Sequence, residues 1–489
     1  MRNKPEVLDY EGVFPSKFSR PRESPPPEPD IVFSAPAEKV PSNLAPASSP
    51  TEAKPKPTFM ELEAGQWTGK RGHALTFACL FIFSIVLYFR PYELIPALSS
   101  FKTMAFYTGI VTLAVYFVSQ LMLEGNLTAR PREVNMILLL GVASLLSIPF
   151  AIDRSEAWGT FVDFVIKTIL IFIVLANVIR TELRLKVMFW LVLIVSIYLS
   201  INLIHDYQAG IFKIGAAETN TQRVAGAIKG LFENSNDLAL HLVTIIPITI
   251  ALGLVKKNPL MRIVYWGIGF LMVAAVVITF SRGGFLALIA MTLVLSWKFG
   301  RRNKTATLAT VVLGLIFFVA LAPGAYGGRL ATIFDSASDI TGSSSQRTVV
   351  LKRSIWVALR YPLFGVGLGN FHHKSEQELG THNAYTQVAS EVGIPAMICY
   401  IIFLVHPLRK LRMIERELFE RNENSRFYYL SIGLQAGLVS YMVASFFAAV
   451  AYQWYIYYLV AYAIALRRIY YLEQSRQPAQ SLTASPLQV

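Results

Sequence analysis

Residues 185–204 read LKVMFWLVLIVSIYLSINLI, twenty positions with a single charge, Lys186, near one end. An α-helix rises ~1.5 Å per residue, so this run covers ~30 Å, the hydrocarbon thickness of a bilayer. Similar runs fall near 74–89, 104–123, 134–151, 157–178 and 238–255. Six more fall near 261–280, 284–298, 305–323, 384–407, 428–449 and 452–466. The reading is an all-α, polytopic integral membrane protein with about 12 transmembrane helices. Composition agrees: 54% of the 489 residues are hydrophobic and 16% charged, where soluble domains carry about 25% charged residues.

The net charge of +14 is read as orientation, with no nucleic-acid partner implied, because Lys and Arg concentrate in cytoplasmic loops. With the N-terminus inside, the inward loops hold Arg130 and Arg132, then Arg180, Arg184 and Lys186, then Lys256, Lys257 and Arg262. Lys298, Arg301, Arg302 and Lys304 follow, and then a dense group from Arg409 to Arg426. Outward connections are sparser for their length. This places both termini in the cytoplasm and one large loop, 323–383, in the periplasm. Residues 1–73 form a proline-rich tail, with Pro25-Pro26-Pro27 at its centre and few large apolar side chains. Such a segment stays disordered; it is a candidate ligand for a cytoplasmic partner. The membrane domain is read as 74–470, and 471–489 as a second disordered cytoplasmic tail.

Cys79 and Cys399 each lie inside an apolar run and offer neither a disulfide framework nor metal-ligand spacing. No metal site and no cofactor is expected from these patterns. His205, His241, His372 and His373 take the bland reading of capping or surface residues.

Three outward-facing features carry chemistry. Ser281-Arg282-Gly283-Gly284 puts an arginine at a helix start, where free N–H groups and the helix dipole favour an anion. Arg347 sits just inside an expected amphipathic helix of the large loop, with Ser343 to Ser345 as caps, Leu351, Ile355, Ala358 and Leu359 as an apolar stripe, and Pro362 as its stop. His382 opens the expected tenth span, and its unperturbed pKa of about 6.5 suits proton transfer near neutrality. Arg223, Arg353 and Glu391 are further candidates for substrate binding; an ionisable Glu391 within an apolar run implies a partner or a polar cavity. Asn234-Ser235-Asn236-Asp237 suits the cap of the sixth span.

Together these stretches resemble the O-antigen ligase and polymerase family of bacterial envelope glycosyltransferases. The matching pieces are Leu231 to Ala239, Ser281 to Gly284, Gln346-Arg347 with Trp356, Pro362 to Phe371, and His382 to Gln387 with Glu391-Val392-Gly393. Where the family often has Asn-Pro-Asn, this chain has Asn234-Ser235-Asn236. The resemblance implies transfer of a glycan from an undecaprenyl-diphosphate carrier to a glycan or lipid A–core acceptor at the periplasmic face of the inner membrane. It also implies that Arg282, Arg347 and His382 are the essential residues. Arginine binds phosphate bidentately and stays charged, so the expected activity is a metal-independent glycosyltransferase surrounded by membrane lipids. Two other readings stay open: a lipid-linked glycan transporter and a protein O-glycosylation ligase.

Overall fold

A computed structural model describes residues 72–211, 213–214, 222–223, 232, 234–308, 311–312, 343–375 and 379–474, apart from 95, 102 and 306. The proline-rich tail up to residue 71, the first part of the large loop and the end of the C-terminal tail lie outside the described residues.

The chain is an all-α, multi-pass membrane protein. Its helices are α1 (Ala74–Phe89), α2 (Met104–Glu124), α3 (Arg132–Ser147), α4 (Arg154–Val178), α5 (Glu182–Gln208), α6 (Ser235–Val255) and α7 (Pro259–Ile278). Then come α8 (Arg282–Gly300), α9 (Ser343–Arg360), α10 (Ala384–Glu391), α11 (Ile394–Glu420), α12 (Arg426–Ala444) and α13 (Trp454–Gln474). Among the described residues, ten helical stretches are long and apolar enough to cross a membrane. The expected ninth span, 305–323, falls mostly outside the described residues. The expected twelfth is α13, whose 21 residues reach ~31 Å and include six tyrosines. α13 runs on to Gln474, past the expected end of the membrane domain at 470.

Side chains that satisfy free backbone N–H groups set the helix starts. Asp153 accepts from the amides of Ser155 and Glu156 at α4, Thr181 from Arg184 at α5, and Asn258 from Leu260 at α7. Pro259 follows Asn258 at the first helical position, where its missing N–H costs nothing. A π-turn over Val165–Leu170 lies within α4, and Pro247 lies inside α6.

Almost every residue of α13 from Trp454 to Tyr471 is buried, so this tyrosine-rich helix is the axis of the bundle. Two of its hydroxyls are bonded, Tyr458 with Ser84 Oγ at 2.9 Å and Tyr457 to the Ala451 carbonyl at 2.8 Å. Where α13 ends, charges are paired inside the protein. Arg467 donates to Glu133 at 2.7 Å, and His406 Nδ1 lies 2.9 Å from the same carboxylate. Lys298 donates to Glu415 at 2.5 Å, and Arg301 also pairs with Glu415. These pairs satisfy charges that would be costly in hydrocarbon.

The expected tenth span is two helices. After α10 the chain turns at Gly393 (φ +108) before α11 begins. α10 has eight residues and at ~12 Å is too short to span; α11 makes the crossing. Residues Lys213–Ile214 and Gln222–Arg223 form a two-residue antiparallel ladder, with Lys213 opposite Arg223.

Candidate functional site

The glycine-rich loop is built around the end of α10. Val366 N donates to the Ser390 carbonyl and Gly367 N to the Glu391 carbonyl, both at 2.9 Å, and Ile394 N donates to the Pro362 carbonyl at 2.8 Å. Gly365, Gly367 and Gly369 all adopt positive φ, and a side chain at Gly365 would overlap the Glu391 backbone. Glycine is required there by both conformation and space. The Glu391 side chain is 4% exposed and accepts from Gly369 N at 3.1 Å. Burial pushes its carboxyl up to about 7, against the lowering effect of the Gly369 amide. Glu391 therefore fixes the loop from within.

The same loop is tied to the turn before α4. Ile152 N donates to the Val366 carbonyl at 3.1 Å, Asp153 N donates to Asn370 Oδ1 at 2.7 Å, and Phe364 stacks on Phe150. It also seats α9, whose Val350 and Val357 pack with Val366 and Phe371. Arg353 Nε donates to the Lys374 carbonyl at 2.8 Å, and its guanidinium lies 4.5 Å from the centre of the Trp356 ring. The helix over Ser343–Arg360 is the expected one, but it rolls differently. Val350, Ser354 and Val357 are buried with Ala358 of the expected stripe, while Ile355 and Leu359 of that stripe are exposed, as is Trp356.

His382 adopts a left-handed backbone, φ 49, which is uncommon for a residue with a side chain. Asn383 follows and caps α10, accepting from the amides of Tyr385 and Thr386. The His382 side chain reaches solvent, yet protein surrounds enough of it that burial, and next the charge of Arg347, hold its pKa below the usual 6.5. Arg347 is half-buried and close enough to act on the imidazole. Two residues singled out in separate parts of the sequence are thus brought close together.

Arg282 opens helix α8. Phe280 has φ 52, and Ser281 then caps α8 by accepting from Gly284 N. The same arrangement, a left-handed residue followed by a polar cap, opens both α8 and α10. Ser281 Oγ donates to Asn236 Oδ1 at 2.9 Å, which joins the start of α8 to the start of α6. Gly283 packs on Phe447, where an added Cβ would lie 3.0 Å from the ring-bearing carbon. On the other flank of that turn, Ser445 Oγ donates to Tyr385 Oη at 3.3 Å, and Tyr385 donates to the Met442 carbonyl at 2.8 Å. The 3₁₀ turn Ser445–Phe447 thus lies between the helix starts that carry Arg282 and His382. Sequence motifs did not single out this turn; Tyr385 lay within the His382 to Gln387 stretch but was given no role. Arg223 lies in the two-residue ladder, and its side chain is outside the described residues.

Residues 267–401 match the family model described as O-antigen ligase. The match spans Arg282, Arg347, the glycine loop, His382 and Glu391, and it supports assigning the chain to the O-antigen ligase and polymerase family. It supports glycan transfer of the ligase or polymerase type, with a lipid-linked glycan donor and a glycan acceptor in the membrane. No curated protein matches the chain significantly.

One cluster of metal-binding types occurs among the described residues: Glu156, His372 and His373. It lies where the glycine loop meets α4, and its histidines come from the 3₁₀ turn Asn370–Lys374.

Proposed function

We propose that this protein transfers a glycan from an undecaprenyl-diphosphate carrier to an acceptor sugar, as a ligase or polymerase of surface polysaccharide. The reaction is assigned to the periplasmic face of a bacterial inner membrane, with both termini cytoplasmic, on the strength of the Lys and Arg distribution. The observation that carries the reading is the meeting of Arg347 with His382, whose imidazole is held below its ordinary pKa.

That pairing suits the chemistry. An acceptor hydroxyl attacks the anomeric carbon, the bond to the carrier phosphate breaks, and the diphosphate leaves with the electron pair. Negative charge grows on the leaving group, and Arg347 and Arg282 are proposed to stabilise it. Neutral His382 takes the hydroxyl proton; its lowered pKa keeps it unprotonated near neutrality. A single displacement of this kind inverts the anomeric centre. With two guanidinium groups on the diphosphate, no step is routed through a metal ion. Arg223 and Arg353 are proposed to contact the lipid-linked substrate, and Glu391 to serve the site by fixing the glycine loop.

The test is the pool of carrier-linked glycan, with surface polysaccharide, in cells bearing wild-type protein or His382→Ala at matched abundance. Accumulated carrier-linked units with lost polysaccharide support the reading, and the missing product separates ligase from polymerase. Unchanged pools would remove His382 from catalysis and favour transport.

A further inference from the structure

Glu156, His372 and His373 come from two chain segments and converge on one point. Glu156 Oε2 lies 3.0 Å from His373 Nε2 and 3.7 Å from His372 Nε2, and one ligand atom from each of the three lies within 4.8 Å of the others. Donors on a tetrahedral zinc ion, bound at ~2.0–2.2 Å, stand ~3.3–3.5 Å apart, so small side-chain rotations close the set on an ion. The two imidazole rings lie 4.0 Å apart, centre to centre.

The surroundings prepare these donors. His372 Nδ1 lies 3.0 Å from the Gly369 carbonyl. A carbonyl oxygen can only accept, so Nδ1 carries a proton and Nε2 is the nitrogen that faces Glu156, where a bound cation would take its lone pair. Ligating histidines are characteristically oriented in this way. The Glu156 amide donates to Asp153 Oδ1 at 3.0 Å, which fixes the backbone that presents the carboxylate. The two segments are also joined by the Asp153–Asn370 bond. The Nδ1 bond at His372 and the Asp153–Asn370 tie hold the three donors in place before any ion binds.

We infer that Glu156, His372 and His373 form a binding site for a divalent cation of the zinc class, which braces the glycine loop against the start of α4. Two imidazoles and one carboxylate suit zinc, whereas magnesium and calcium prefer all-oxygen sets of six or more ligands. Three protein donors leave a fourth position for water. Arg353 links Lys374, next to His373, to α9, so the brace also steadies the helix that carries Arg347. The ion takes no part in bond making at His382, and its binding can be measured without glycan transfer.

Full-length protein carrying a tag without histidine is stripped with EDTA, desalted, incubated with zinc sulfate, desalted again and assayed for metal by mass spectrometry. Wild type is expected to retain equimolar zinc and to unfold at a higher temperature with zinc than with magnesium. Replacing both histidines by alanine is expected to abolish retention, Glu156→Gln to weaken it, and His205→Ala, at an exposed histidine elsewhere, to leave it unchanged. If the double variant does not fold, His373→Gln and the wild-type titration decide. Wild type without stoichiometric zinc, or variants that hold as much as wild type, would overturn the inference.

Discussion

Replacing Gly365 and Gly159 by alanine makes the same chemical change in two environments and should give opposite results. Gly365 has φ +64, and the new Cβ would overlap the Glu391 carbonyl. The left-handed conformation costs a side chain about 1–2 kcal/mol. Relief of a backbone overlap adds a further 1–3 kcal/mol or so. The overlap can be relieved only by moving the loop away from α10, which stretches the Val366–Ser390 and Gly367–Glu391 bonds. A local penalty of about 3 kcal/mol follows, and displacement of the support shared by α9 and α10 should reduce glycan transfer. Gly159 is exposed in helix α4, and a Cβ there meets nothing within 4 Å. Alanine at that position should stabilise the helix by roughly 0.5–1 kcal/mol. Thermal unfolding of both variants in detergent, with transfer activity alongside, tests the contrast. Equal unfolding temperatures and equal activities would refute the claim that Gly365 holds the loop on α10.

Three other predictions follow from the charges. His382 must be neutral to accept a proton, so activity should fall with acidification through a pKa below 6.5; residual activity of Arg347→Gln should show that acid limb moved upward, because one lowering cause is gone. Glu391 has its carboxyl raised from 4.5 to about 7, so its contribution to stability is present below the unfolded value and lost as pH rises through 7. The unfolding temperature of Glu391→Gln should decline less over that window, and an unchanged pH profile would count against the assignment. Glu415→Ala strands buried Lys298 and should cost about 3–5 kcal/mol, seen as a lower midpoint in thermal unfolding.

The spans were legible because crossing a bilayer demands long uninterrupted apolar runs, and 185–204 announces one without help from the rest of the chain. The cap at Asn234 and the stop at Pro362 were legible for similarly local reasons. What escaped depends on distant packing. α13 carries many tyrosines because neighbouring helices enclose it, and no periodicity in its own sequence says so. Ile355 and Leu359 of the apolar stripe expected on α9 are turned outward, since Val350 and Val357 face a glycine loop whose position depends on α10. The break at Gly393 divides one apolar run into a short helix and a span because the Leu363 carbonyl approaches its backbone too closely for a side chain. His373 and Glu156 stand 217 positions apart, and two adjacent histidines give no sign of such a partner. Arg347 and His382 were both legible as candidates; their proximity required the fold.

The central claim is that Arg282, Arg347 and His382 act as one glycan-transfer site, and the direct measurement is single-turnover transfer by purified full-length protein in lipid nanodiscs. The substrate is a labelled undecaprenyl-diphosphate glycan with an acceptor glycan, and wild type is compared with Arg282→Ala, Arg347→Ala, His382→Ala and the triple variant. The account predicts that each single variant binds donor but loses most of the transfer rate, and that the triple variant is no worse than the poorest single one, as for residues acting as a unit. Transfer at the wild-type rate by the triple variant would contradict it.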